Sequence, residues 1–385
     1  MSTGHYTLWG TPHSLYTGKA RSYLIKKGVP FVEKMVSDPY FMGDIVSRIG
    51  HFVAPVVESP EGDLIQDTTA IIDHVEARHD EVNLCPPGPV QQVVAQFLDA
   101  FGSNYLLAAA MHYRWSYRAE QELFLTAEFA RAIPVSLPYD ARLATAASLM
   151  TQFSGMLPAL GVYAEVIPAI EGAYLELLDL LEAHFRQHPY LLGGRPSLAD
   201  FGMMAPLYAH LARDPVPAML MRTRAPNVAR WTERMNTPRI EDDDYADPGG
   251  TFPEGDAIPE SLEAVLKVAF ALWTPGLTAD AAQFEAWLED QGDAASGTLV
   301  SHEGKRQVHP HVGLIEYPWR GITMRRASHV HSLWHLGRVH DSAAALQGEA
   351  ASRLASLLDR TGGTALMACR TSRPLARENN VVVLG

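Results

Sequence analysis

Along this 385-residue chain the apolar positions change their spacing in a definite order. Residues 6–9, Tyr-Thr-Leu-Trp, read as a short strand, and Gly10-Thr11-Pro12-His13 as the turn that follows. Over 14–27 the spacing becomes helical, with Ala20, Leu24 and Ile25 on one face and Gly28 as the stop. Residues 30–36 alternate enough to be a second strand, so a βαβ unit with a parallel pair is predicted at the start of the chain. After a loop or short helix, 55–58 and 62–66 read as a hairpin and 68–78 as a helix. Pro86-Pro87-Gly88-Pro89 marks a linker, and 90–235 then carries helical periodicity with no strand pattern.

Within that helical stretch, Leu191-Leu192-Gly193-Gly194-Arg195-Pro196 leads into Ser197-Leu198-Ala199-Asp200. Ser197 suits a helix N-cap, and Asp200 can reach back to its amide, a capping box with Asp in place of Glu. Between 236 and 260 the composition shifts to Pro, Gly and acid, including Glu241-Asp242-Asp243-Asp244, which reads as a linker. Beyond it, 261–273 and 279–290 predict helices, 312–317 and 321–325 strands, 343–360 a helix stopped by Gly362-Gly363, and 381–384 a last strand. The expected division is therefore 1–84, 88–235, a linker at 236–260, and a further α+β lobe over 261–385. The order βαβ-ββα of the first unit is the thioredoxin-like arrangement, and the second unit is all-helical.

Composition narrows the function. A formal charge of -13 argues against a nucleic-acid groove, which needs clustered Lys and Arg. Two cysteines, Cys85 and Cys369, exclude a disulfide framework and fit a reducing compartment. The first residues lack the pattern of a signal peptide, and no uninterrupted apolar run approaches membrane-spanning length, so a cytoplasmic chain with no membrane span is expected.

Three features, in this order, resemble the glutathione transferase family over roughly the first 235 residues. Ser14-Leu15-Tyr16-Thr17-Gly18-Lys19-Ala20-Arg21 is similar to the family's Ser-Pro-Tyr-x-x-Lys-Val-Arg helix opening. Ala54-Pro55-Val56-Val57 with Gln66-Asp67-Thr68-Thr69-Ala70-Ile71-Ile72 resembles its cis-proline loop and the later Glu-Ser-x-Ala-Ile helix start. The Ser197–Asp200 box resembles the helix start of its second domain.

The resemblance implies a thioredoxin-like domain followed by a helical domain, glutathione as co-substrate and a small electrophile as its partner. It also implies a homodimer. Ser14 falls where the family keeps its thiolate-stabilising serine, with Tyr6, His13, Tyr16 and Thr17 as substitute donors; Ser14 is also a natural N-cap. The main chain of Ala54, exposed by Pro55, is expected to pair with the peptide. Asp67 suits the γ-glutamyl ammonium, Thr68 its carboxylate, and Arg48 or His51 the glycine carboxylate. Met111, Tyr113 and Trp115 are expected in the electrophile pocket. With Ser at position 14 and no cysteine before Cys85, disulfide exchange lacks its nucleophile.

The third lobe holds His302, His309, His311, His329, His331, His335 and His340, in two places at ligand-like spacing, yet no acidic residue completes a metal motif and no metal is expected. Its basic residues, Lys305, Arg306, Arg320, Arg325, Arg326 and Arg338, are expected to dock on the acidic linker or the other domains. A non-catalytic scaffold that uses this lobe for a partner is the alternative to a transferase.

Overall fold

The computed structural model describes residues 4–246, 249–307, 309–378 and 380–385. Strand β1 (Tyr6–Gly10), helix α1 (Leu15–Lys27) and strand β2 (Phe31–Met35) form the predicted βαβ unit, with Tyr6 to Gly10 paired in parallel to Phe31 to Met35. A π-turn at Phe41–Ile45 runs into α2 (Val46–Ile49), then come β3 (Val56–Glu58), β4 (Leu64–Gln66) and α3 (Thr68–Glu76). The sheet order is β2-β1-β3-β4. Because side chains alternate along a strand, Leu8 and Val57 face α1 and α3 with Ala20, Leu24, Ile71 and Val75. Their neighbours Trp9 and Val56 join Phe41, Ile45 and Ile49 on the opposite face.

The second unit comprises α4 (Pro89–Ala100), a π-turn at Phe101–Tyr105, α5 (Leu107–Trp115), α6 (Arg118–Ala130), α7 (Tyr139–Ser154), α8 (Ile167–Phe185), α9 (Leu198–Ala209), α10 (Pro215–Arg224) and α11 (Pro226–Arg234). Helix α9 is apolar on nearly every side, with Phe201, Met203, Met204 and Leu207 buried, because α1 and α4 pack on it together. Its approach to the α4 turn needs glycine: a Cβ on Gly102 would lie 2.5 Å from the Gly202 carbonyl oxygen. The capping box forms as read, with the Ser197 amide donating to Asp200 Oδ2 at 3.0 Å. The other carboxylate oxygen accepts from the Leu191 amide at 3.0 Å and Trp231 Nε1 at 3.1 Å.

Among the described residues of 236–259 there is no regular element beyond a short turn at Glu254–Asp256, but several of their side chains are tied down. Asp256 receives the Val90 and Gln91 amides at 2.9 Å each and so caps α4 from outside the helix. Asp242 pairs with Arg234, and Asp243 with Arg239. Two of the four acids in the run are thus paired with nearby arginines.

The third unit departs in part from its expected elements. Residues 261–273 and 279–290 belong to one helix, α12 (Glu260–Gln291), which runs through Pro275. Pro275 cannot donate to the preceding turn; Thr274 Oγ1 donates to Phe270 O at 2.7 Å and Trp319 Nε1 to Leu272 O at 3.1 Å around the interruption. By length and composition α12 would suit a membrane span, yet half of its most apolar window is buried inside the protein. Strands β5 (Leu314–Trp319) and β6 (Ile322–Ala327) form the expected hairpin. The helix expected at 343–360 starts later, as α14 (Gly348–Thr361) with Gly348 at a φ of +56°, and a separate helix, α13 (Val330–Ala344), precedes it. After α15 (Thr364–Ala368), β7 (Leu375–Glu378) pairs with β8 (Val381–Leu384).

This unit does not hang from the linker. Its buried residues, Leu262 through Leu384, belong to one continuous apolar core with Leu8, Phe97 and Leu177. Helix α12 lies on α8, and α13 on α4. Phe270 stacks on Phe97 with centroids 4.3 Å apart, and Trp273 meets Phe101 edge-on at 6.0 Å. Of the apolar residues that stand beside its basic ones, Ile315, Trp319, Leu333, Trp334 and Leu336 are buried, whereas Leu314 is 77% exposed.

Two outcomes follow. Phe270→Ala is expected to lower the stability of the whole chain by on the order of 3–5 kcal/mol, as one cooperative melt. A separate early transition would show that the third unit folds alone. Secondly, His184 joins α8 to α12 through Ser261 Oγ at 2.8 Å and donates from Nε2 to Tyr190 O, 3.1 Å away. Burial pushes its pKa down to about 3. The unfolded chain therefore binds the extra proton first, and the stability that neutral His184 contributes is present above about pH 6.5 and lost on acidification from there towards about 3. Melting temperature against pH should fall across that window, and less steeply in His184→Gln; parallel curves would contradict this.

Candidate functional site

The loop after β1 is where several elements converge. Trp9 pairs with Val56, and Val56 in turn with Gln66. Gly10 and Thr11, the cis Ala54-Pro55 bond and Asp67 therefore lie side by side, one step beyond the ends of β1, β3 and β4. Among the described residues the Ala54 amide and carbonyl have no hydrogen-bond partner, which leaves an open length of backbone at this edge.

Ser14 caps α1: its Oγ accepts from the Thr17 amide at 3.3 Å. An oxygen that accepts a hydrogen bond keeps its own proton to donate, so capping and donation to a bound thiolate are compatible. Of the substitute donors, Tyr16 and Tyr6 are engaged elsewhere, and Thr17 and His13 are buried. Tyr16 Oη donates to Ser103 O at 3.0 Å inside the domain junction. Thr17 is fully buried, with Oγ1 facing the Thr11 amide at 3.4 Å. Tyr6 Oη lies 3.2 Å from His79 Nε2 at the start of β1, away from the loop. His13 stacks on Phe129 with centroids 4.3 Å apart, and burial, then Arg114 and Arg213, drive its pKa far below the ordinary range.

The second unit grips this loop. Arg114 lies buried on α5, its guanidinium bound to both oxygens of Asp214 at 2.6 and 2.8 Å. It also donates to His13 O at 2.9 Å, and Arg213 donates to Pro12 O at 2.6 Å. Lys19 of α1 reaches across to Asp99 at 2.5 Å and Ser103 at 3.2 Å on the other domain, fully buried.

The third unit reaches the same edge. Arg377 of β7 donates to Asp67 Oδ2 at 3.1 Å and to Gln66 Oε1 at 2.6 Å. Asp67 holds a φ of 79°, and its other oxygen accepts from the Thr69 amide at 2.8 Å, capping α3. Burial alone would raise the Asp67 carboxyl; Arg377, then His335, His331 and Lys19, hold it below the usual range. Helix α13 places His335 between Asn104 Nδ2 at 3.0 Å and Thr69 Oγ1 at 3.3 Å. Burial drives the His335 ring below its ordinary pKa against the pull of Asp67. The neutral ring accepts from Asn104 at Nδ1 and donates to Thr69 at Nε2.

Thr68 opens α3 and is buried beside Asp67. Arg48 is exposed and donates to Gly62 O at 3.1 Å, while His51 is half-buried, its pKa lowered by burial and then by Arg306 and Arg377. Met111, Tyr113 and Trp115 do not open onto a cleft. All three are buried in α5, where Tyr113 packs on Tyr174 and Trp115 on Phe129. Phe129 stacks on His13, the residue before Ser14, and Phe153 lies 5.7 Å from Phe129. A cavity lined by Tyr105, Tyr174, Trp273, Trp319 and Met324 lies apart, between α5, α8, α12 and the β5–β6 hairpin.

The histidines of the third unit fall into small groups: His302 stacks on His311 at 5.6 Å, His309, His329 and His331 lie near one another, and His335 faces Asn104. Among the described residues no three His, Cys, Asp or Glu side chains gather as metal ligands. Two of the basic side chains pair with other units, Arg320 with Glu176 at 2.7 Å and Arg338 with Asp73 at 3.1 Å, whereas Lys305 pairs with Glu303 and Arg325 with Glu316 inside the third unit. Within the unit, Arg326 meets buried Asp280 at 2.8 Å.

Residues 8–83 match the glutathione S-transferase N-terminal domain and residues 164–234 the C-terminal domain. No curated protein matches the chain. Among solved structures it is similar to FzlA from C. crescentus, 19% identical, over 68% of this chain and 99% of that one, with a TM-score of 0.39. Glutathione transferase GSTFuA3 from Phanerochaete chrysosporium is 16% identical over 62% and 98%, with a TM-score of 0.42. A glutathione S-transferase from Methylobacterium radiotolerans in complex with glutathione sulfonate is 20% identical over 66% and 98%, with a TM-score of 0.35.

The clamp on the loop can be tested directly. Arg114→Met leaves Asp214 buried without its partner and should cost about 3–5 kcal/mol, read as a lowered urea midpoint. Arg114→Met combined with Asp214→Leu should recover much of that loss. A single variant as stable as the wild type would mean that the pair does not hold the loop.

Proposed function

This chain belongs to the glutathione transferase family, and from that premise we propose that it binds glutathione along the edge formed by Ser14, Ala54 and Asp67 and conjugates it to a small electrophile. The observation that carries the reading is Ser14 at the first turn of α1, its oxygen taken by the Thr17 amide and its proton left to donate. A free thiol titrates near 8.5, and lowering it by two units takes roughly 2.7 kcal/mol of preference for the thiolate. A hydroxyl donor at the positive end of a helix supplies such a preference.

The peptide would run antiparallel to the open backbone at Ala54, presented by Pro55. Its γ-glutamyl carboxylate would meet Thr68 and the amides at the start of α3, and its glycine carboxylate His51 or Arg48, while its ammonium would find Asp67 already paired with Arg377. The electrophile would then approach the sulfur past Phe129 and Phe153. A homodimer would have to form through a face other than the one that α13 and α14 cover on α4. The Asp67–Arg377 pair supports a second reading, a protein that keeps the fold and binds without turnover, because the carboxylate for the ligand ammonium already has a cation.

Ser14→Ala should leave glutathione binding largely intact, since the ends of the peptide are held elsewhere. The thiolate should become harder to form, and turnover of a reactive electrophile should fall about 10- to 100-fold, roughly 1.4–2.7 kcal/mol. The measurement is the ultraviolet thiolate absorbance of bound glutathione against pH in both proteins. Coincident curves would reduce Ser14 to a cap, and an absence of binding to wild type at millimolar glutathione would end the transferase reading.

A further inference from the structure

Asp67 is the carboxylate available to a ligand ammonium at this edge, and it is already served. Thr69 N donates to one oxygen at 2.8 Å and Arg377 to the other at 3.1 Å. Arg377 is not a loose surface side chain. It sits on β7 within the paired β7–β8 hairpin, donates also to Gln66 Oε1 at 2.6 Å, and lies 5.4 Å over the Trp334 ring from α13. Its side chain is 12% exposed and that of Asp67 16%.

The other charges nearby do not favour an incoming cation either. Lys19 faces Asp67 from α1, already paired with Asp99, and Arg338 approaches from α13, paired with Asp73. His331 and His335 lie on the same face of α13. Against this, the start of α3 still offers helix-terminal amides to an anion. A carboxylate arriving there gains the attraction of Arg377, whereas an ammonium meets a like charge across a partly dry contact.

We infer that Arg377 is a specificity-determining residue of this site: it takes the place on Asp67 that a ligand α-ammonium needs, so the site favours a thiol peptide whose γ-linked end carries a carboxylate and no ammonium. The inference rests on the reading of this edge as a glutathione site and refines which member of that ligand class it prefers.

The test is calorimetric titration of the full chain with glutathione and with its desamino analogue, glutaryl-cysteinylglycine. Wild type should bind the desamino peptide at least about ten-fold more tightly. Arg377→Gln, which keeps an amide for Gln66 and removes the charge, should bring glutathione to parity or better. Arg377→Lys, which restores the charge, should return the wild-type preference and serves as the check that position 377 tolerates replacement. A wild type that prefers glutathione, or a ratio unchanged in Arg377→Gln, overturns the role of Arg377 while leaving the peptide site standing. If neither peptide binds wild type or either variant at millimolar concentration, the glutathione reading itself fails and takes this inference with it.

Discussion

Helix α12 has to bury an apolar face that water would not tolerate, and the surface it finds is the outer side of the helical domain. Phe270 and Trp273 close on Phe97 and Phe101, and Leu266, Leu277 and Phe284 extend the seam. Everything downstream is placed by that choice. The β5–β6 hairpin folds back on α12, α13 is laid along α4, and the β7–β8 hairpin comes to rest against the ends of β4 and α3. A contact at residue 377 with the N-terminal domain is thus the last consequence of packing that begins at residue 262.

Charged pairs mark each of these junctions. Lys19–Asp99 joins the first two units, Arg114–Asp214 holds the loop before Ser14, and Arg326–Asp280 locks the hairpin to α12. Buried pairs of this kind add little net stability over apolar packing, but each is very unfavourable when broken. They act as registration: a domain docked one turn out of place would leave several charges dry and alone. The loop carrying Ser14 is held by two arginines through its backbone carbonyls, so its geometry does not depend on its own short sequence.

What was readable in the chain was local. The βαβ unit, the hairpin at 55–66, the Ser197–Asp200 box and the motif around Ser14 all show themselves within a dozen residues, because turns, caps and periodicity are short-range physics. The errors are long-range. Pro275 suggested a break that docking onto α8 and the Trp319 bond overrode, and the aromatic residues of α5 looked like a pocket because burial cannot be told from lining by spacing alone. Lys19 stood inside the quoted motif, yet its partner Asp99 gave no sign of itself. Arg377 had no local signal at all, since nothing around it resembles a ligand contact until the hairpin meets Asp67.

The Asp67–Arg377 pair spans 310 residues, the longest reach of any ion pair described here. Translation proceeds at about 5–20 residues per second, so roughly a quarter of a minute to a minute separates the emergence of the two side chains. During that interval the thioredoxin-like domain can fold with Asp67 facing solvent and carrying an uncompensated charge. The nascent chain and the finished protein therefore present two different electrostatic faces at the same edge, and the change from one to the other is timed by synthesis itself.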